Sequence, residues 1–188
     1  MAEPHAAVRW TIRDLEGFPY DETKRYEIID GELFVSTQPH AEHQATLAQC
    51  TGALTWWNGQ ARQGRVFVAP GFIFSESDAV APDVIWASHE RLAAIQGEDG
   101  HFYGAPELMV EVLSPGSTNQ RRDRDTKLKL YSIYGVREYW IIDWRTQTVA
   151  VYRHHEGQLH LLATLTRDDT LTSPLLPGFS VPVAQLFE

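Results

Sequence analysis

Residues 106–144 read PELMVEVLSPGSTNQRRDRDTKLKLYSIYGVREYWIIDW. An apolar run from Leu108 to Leu113 is broken by one acid, Glu111. Ser114-Pro115-Gly116 is a turn signal, a charged segment that becomes apolar follows, and Tyr139 to Ile142 is a second apolar run. The pattern predicts a strand, a crossover helix and another strand, hence an α/β fold with a mixed sheet. A lone buried carboxylate is costly unless it is paired or holds a cation. Glu111 therefore marks the place to look for chemistry.

Side chains alternate across a strand. Glu107, Met109, Glu111 and Leu113 share one face, and Leu108, Val110 and Val112 the other. Glu107, at the strand's start, is expected to reach water. Glu111 lies near the strand's end, where sites in α/β sheets gather. Asp83 is a second acid in apolar surroundings, at a strand read from Val80 to Trp86 and interrupted by Pro82. The preceding Pro82 points to an edge position or a bulge. Two strand-borne carboxylates can converge on a hard cation such as Mg²⁺. Equally, Asp83 can serve a turn and Glu111 can pair with an arginine, because structural ion pairs mimic sites.

The crossover helix adds independent information. Lys127, Leu130, Tyr131 and Tyr134 form one helical stripe, Asp123 lies one turn before Lys127, and Lys129 points nearly the opposite way. One reading is an exposed Asp123–Lys127 pair worth about 0.2–0.5 kcal/mol. The other is a lysine delivered towards Glu111 and Asp83, where it orients a water or offsets charge on a transferring phosphoryl group.

Elsewhere, Thr11 to Leu15 reads as a short helix, with a break at Gly17 and Pro19. Asp30-Gly31, between Tyr26–Ile29 and Glu32–Val35, is a strong hairpin signal. His40 to Gln60 reads as an amphipathic helix through Ala45, Leu47, Ala48, Ala53, Leu54 and Trp57, weakened at Thr51-Gly52. Val66–Val68 and Phe72–Phe74 are short strands, Arg91 to Ile95 a helical turn or two, and residues 97–104 a loop. A further hairpin is expected around Glu156-Gly157, and residues 166–188 read mostly as loop.

The 188 residues, 43% hydrophobic and 11% aromatic, suit one globular domain over residues 10–188 behind a loose terminus, 1–9. No apolar stretch approaches the roughly 20 residues that span a bilayer. The N-terminus MAEPHAAVRW lacks a secretory signal, and the one cysteine, Cys50, excludes an intrachain disulfide. These features point to the cytoplasm. The net charge of −9 argues against broad phosphate binding. It does not argue against a metal-dependent nuclease, which must cluster carboxylates around cations. Basic residues concentrate at Arg121, Arg122, Arg124, Lys127 and Lys129. His154, His155 and His160 lack a supporting acid cluster, Cys50 lacks a partner base, and Trp56-Trp57 reads as core or dimer surface. No glycine-rich phosphate loop occurs.

The ordered set RYEIIDGEL (25–33), PHAEHQ (39–44), APDVIWAS (81–88), PELMVEVLSPGST (106–118), RRDRDTKLKLY (121–131) and GVREYWIID (135–143) resembles the Uma family of restriction-endonuclease-like proteins, within the PD-(D/E)XK nuclease superfamily. The resemblance implies a central mixed sheet flanked by helices, with extra N- and C-terminal hairpins. It implies a metal-dependent endonuclease that hydrolyses DNA phosphodiesters with Mg²⁺ or Mn²⁺. Asp83 and Glu111 match its metal-binding acids, and Lys127 matches a lysine supplied from the following helix. Leu113 stands where the superfamily motif places a lysine. Glu27 matches a hairpin acid of the same site. His43 matches a histidine at a helix start, where a local hydrogen bond is expected. Arg121, Arg122 and Arg124 are candidates for contacts to the DNA backbone, and a homodimer would suit duplex cleavage. Two other readings stay open: a degenerate nuclease fold that binds nucleic acid or protein, and a hydrolase of small phosphate esters.

Overall fold

The two apolar runs become β7 (Leu108–Val112) and β8 (Glu138–Asp143), paired in parallel with Val110 opposite Trp140. Every residue of both strands is buried, which is why they read as near-continuous apolar runs. The structure is a computed structural model describing residues 8–18, 21 and 23–188, with all side chains among them except those of residues 117 and 118. Residues 1–7 of the expected loose terminus, and Pro19 of the expected break, lie outside the described residues.

Four more strands complete a six-stranded mixed sheet: β3 (Gly64–Val68), β6 (Val84–Ser88), β9 (Thr148–His155) and β10 (Gln158–Leu165), in the order β10-β9-β8-β7-β6-β3. Only the β7–β8 pairing is parallel. A second, antiparallel sheet has the order β2-β1-β5-β4, from β1 (Arg25–Ile29), β2 (Glu32–Ser36), β4 (Phe72–Ser75) and β5 (Asp78–Val80). Asp30 and Gly31 both take positive φ, 49° and 71°, as the tight turn between β1 and β2 requires. Glu156 and Gly157 repeat this at 49° and 83°.

Alternation on β7 divides the core. Leu108, Val110 and Val112 pack with Leu47, Cys50, Leu54 and Trp57 of α2 (Ala41–Ala61) and with the C-terminal Phe179 and Leu186. Met109 and Leu113 pack with Ile95 of α3 (His89–Ile95), with Leu130 and Tyr131 of the crossover, and with Phe72 and Val80 of the small sheet. The large sheet is thus covered on both faces. Among the described residues no helix is long and apolar enough to cross a membrane.

Several expectations need correction. The strand read from Val80 to Trp86 is two strands, β5 and β6, in different sheets. Pro82 lies between them, neither on an edge strand nor in a bulge. Because β6 is an interior strand, a proline within it would remove a ladder hydrogen bond. Glu107 does not reach water; it is buried and accepts from the Ser88 N–H and hydroxyl. Helix α2 runs unbroken through Thr51-Gly52, and it buries His43, Thr46 and Cys50, leaving Ala45 and Ala48 exposed. Trp57 is core, whereas Trp56 is 73% exposed. The C-terminal segment holds β11 (Thr170–Thr172), β12 (Ser180–Pro182) and a 3₁₀ turn over Val183–Phe187. The remaining helix, α1 (Ile12–Glu16), falls where expected.

The crossover is not one regular helix. It runs as α4 (Ser117–Arg121), a π turn over Arg122–Thr126, and α5 (Lys127–Ile133). In the π turn the Lys127 N–H donates to the Arg122 carbonyl instead of the Asp123 carbonyl. The Asp123 carbonyl accepts from Tyr139 Oη at 2.9 Å.

Candidate active site

Carrying the β6–β7 register, Val84 opposite Val110, one residue further sets Asp83 across from Glu111. Asp83 Oδ2 accepts from the Val112 N–H at 2.9 Å and lies 3.3 Å from His43 Nε2, and Asp83 Oδ1 lies 3.4 Å from Arg25. Glu111 Oε1 accepts from Lys127 Nζ at 2.8 Å and from Tyr131 Oη at 2.9 Å. Lys127 Nζ also lies 2.9 Å from Glu27 Oε1 and 3.8 Å from Asp123 Oδ1. Glu27 Oε1 accepts from the Ala81 N–H, and its Oε2 faces Arg122 at 3.4 Å. Arg122 Nε donates to Asp123 Oδ1 at 3.1 Å.

Four elements thus bring four acids, a lysine and an arginine together. Glu27 and Lys127 are each 1% exposed, Glu111 3% and Asp83 5%. All line one cleft of about 280 Å³, together with Lys24, Arg25, His43 and Ser114. The π turn lets Arg122, Asp123 and Lys127 all face inward, while Lys129 stays exposed.

Burial works to raise every carboxyl here. At Glu27 the charges of Lys127 and Arg122 outweigh burial, and its pKa is held below the ordinary value. At Asp83 the His43 contact and the Val112 N–H do the same. At Glu111 burial wins: Lys127 opposes it, but the negative Asp83, Asp123 and Glu27 add to it, and the carboxyl is pushed up to about 8. Burial also raises Asp123. Lys127 is raised in spite of burial, by Glu111, Glu27 and Asp123. The cluster is short of positive charge.

That shortage, and a donor set of hard oxygens, fit a divalent cation. Among the described residues nothing donates to Glu111 Oε2 or Asp123 Oδ2. As the side chains stand, no three acids or histidines among the described residues are grouped to hold a metal ion.

Asp83, Glu111, Lys127 and Glu27, all singled out in the sequence, come together. The three arginines separate. Arg121 is exposed, Arg124 is partly exposed and pairs with Asp143 at 3.3 Å, and Arg122 is buried among the acids. His43 makes no local bond; that part is taken by His40, whose Nδ1 accepts from the Glu42 N–H. Among the described residues nothing partners His43 Nδ1, so the ring proton belongs on Nε2, facing Asp83. Tyr131 was legible only as part of an apolar stripe, and Arg25 carried no signal beyond its motif. His154 turns to the Ser132 carbonyl and His155 stays exposed. Burial pushes the Cys50 thiol up to about 12, which leaves it inert.

The family model Uma2, described as "Putative restriction endonuclease", matches residues 12–184. A crystal structure described as a putative nuclease belonging to DUF820, from Anabaena variabilis ATCC 29413, superposes with a TM-score of 0.74 at 22% identity, over 94% of this chain and 97% of that one. At that identity the likeness speaks for the fold, which is restriction-endonuclease-like. The type IIG restriction endonuclease BpuSI matches with a TM-score of 0.39 at 15% identity, over 77% of this chain and 15% of that one, too slight to carry an argument. No curated protein matches the chain. With a family model spanning nearly its whole length, the chain belongs to the Uma2 family of restriction-endonuclease-like proteins.

Proposed function

We propose that the chain is a metal-dependent endonuclease that hydrolyses phosphodiester bonds of DNA at the Asp83–Glu111–Lys127 cleft. The observation that carries this reading is the Lys127 ammonium, buried between Glu111 and Glu27 in the cleft that Asp83 also lines. Asp83 and Glu111 would hold Mg²⁺ or Mn²⁺, with Glu27 and Asp123 behind them. When bound, such an ion lowers the pKa of a coordinated water and polarises the scissile phosphate.

The chain's own residues supply the rest. Lys127 Nζ donates to Glu111 Oε1 at 2.8 Å and lies 2.9 Å from Glu27 Oε1 and 3.8 Å from Asp123 Oδ1. Its ammonium can orient the attacking water or meet charge developing on the phosphate. Glu27, through the Ala81 N–H, ties the small sheet to the segment that carries Asp83. Arg121 and Arg124, beside the cleft-lining Arg122 and Asp123, are suited to backbone phosphates and give affinity without sequence readout.

The test is cleavage of plasmid and oligonucleotide DNA with Mg²⁺ or Mn²⁺ by the wild type and by Asp83→Ala, Glu111→Ala and Lys127→Ala. Loss of cleavage by about 10²-fold or more in each variant is expected. Cleavage that persists in all three sinks the assignment. The acidic net charge favours one competing reading, a fold kept for binding. An intact wild type that neither cuts nor takes up divalent ions would select it.

A further inference from the structure

We propose that Tyr131 is a positioning residue of this site: its hydroxyl fixes the Glu111 carboxylate so that Oε1 faces the protein and Oε2 is left for a divalent cation. The proposal rests on the metal-dependent reading above.

Both donors to Glu111 fall on the same oxygen. Lys127 Nζ reaches Oε1 at 2.8 Å and Tyr131 Oη reaches it at 2.9 Å, and nothing among the described residues donates to Oε2. Lys127 cannot set the carboxylate's rotation by itself, because its ammonium is shared with Glu27 and Asp123. Tyr131 has one proton, and it goes to Glu111.

The ring is also fixed. Tyr131 is fully buried and meets Tyr139 edge-on, with centroids 5.0 Å apart and planes at 83°. Tyr139 in turn donates to the Asp123 carbonyl in the π turn. One aromatic pair therefore holds two parts of the site: Tyr131 the strand acid, Tyr139 the helix segment that carries Asp123. The spacing explains how a helix can do this. Lys127 and Tyr131 stand four residues apart, so they are neighbours on one helix face and reach the same residue of β7. Packing alone would be served by phenylalanine, whereas a buried hydroxyl needs its partner.

The test is Tyr131→Phe in the full chain, read three ways. A metal-free crystal structure should show Glu111 turned away from its wild-type orientation; an unchanged rotamer overturns the proposal. Calorimetric titration with Mn²⁺ should show affinity weakened about 10–100-fold, as is usual when a group holding a metal ligand is removed. Tyr134→Phe is the control. It removes a hydroxyl beside the same helix that bonds Asp78, and it should keep the wild-type affinity. Equal Mn²⁺ affinity in wild type and Tyr131→Phe overturns the positioning role alone. A wild type that binds no Mn²⁺ sinks the metal reading and the cation half of this proposal, while the rotamer still reports on Tyr131. Should the variant not fold, the wild-type Tyr131 hydroxyl proton serves instead. Its NMR resonance should shift on adding Mg²⁺, and a resonance unmoved by Mg²⁺ counts against the role.

Discussion

Lys127 Nζ stands 2.8 Å from Glu111 Oε1, tying the crossover helix to the strand it leaves. Removing one partner of a buried pair leaves the other charge uncompensated, which costs about 3–5 kcal/mol. Lys127→Met should lower the unfolding free energy by about that amount, measured by urea denaturation, and should abolish cleavage. Lys129→Met, on the exposed face, should be neutral in both. Equal midpoints for the two variants would show that the buried ammonium contributes nothing.

The raised Glu111 carboxyl gives the metal-free protein a pH signature. Its pKa in the fold is about 8, against an ordinary 4.5, so the folded state keeps a proton that the unfolded chain loses. That contribution is fully present below the ordinary value and is lost as pH rises through the folded one. Asp123, also raised, adds to the same slope. Glu27 and Asp83 are lowered, so they act in the opposite sense and only in acid, below their ordinary 4.5 and 3.8. Stability in a chelating buffer should therefore fall between about pH 5 and pH 8, by a few kcal/mol at most. Glu111→Gln should flatten that slope; denaturation midpoints across the range decide it.

Tyr139 supports the π turn through a single hydrogen bond. Tyr139→Phe keeps the ring but leaves the buried Asp123 carbonyl without its donor. A loss of about 1–3 kcal/mol is expected for an unsatisfied buried acceptor. Cleavage should fall as well, because the turn carries Arg122 and Asp123. Hydrogen exchange at residues 122–127 should speed up relative to the rest of the helix; uniform protection would place the support elsewhere.

Gly64 tests the sheet without touching the cleft. A Cβ there would lie 2.1 Å from the Ala87 carbonyl oxygen, across the β3–β6 pairing. Gly64→Ala should cost about 1–3 kcal/mol, as overpacking does, and β3 must shift. Divalent affinity of the folded fraction should not change. An unaltered melting temperature would mean that the edge strand is looser than its pairing suggests.

The hairpins at Asp30-Gly31 and Glu156-Gly157, helix α2 and the β7–crossover–β8 unit were legible because their signals are local. Turn residues need positive φ, and apolar residues recur with the period of the element that buries them. The inward face of Lys127 was legible for the same reason. The split of residues 80–86 between two sheets was not, since nothing local tells a proline between strands from one at an edge. The π turn was equally hidden. Its i+5 bond coincides with a contact from outside the crossover, the Tyr139 hydroxyl of β8 donating to the Asp123 carbonyl.

The sequence by itself determined which side chains are out of place for their surroundings: an acid in a buried strand, another beside a proline, and a lysine on an apolar stripe. It could not determine their partners, because charges meet across a fold and not along a chain. The tertiary structure decided that Glu27 and Glu111 share one ammonium, that Arg122 belongs to the cluster and not to the outer surface, and that His43 answers to Asp83. It also decided the direction in which each acid is shifted. Donors and cations around Glu27 and Asp83 hold them below their ordinary values against burial, whereas at Glu111 burial and three negative neighbours outweigh one lysine and push the carboxyl up to about 8.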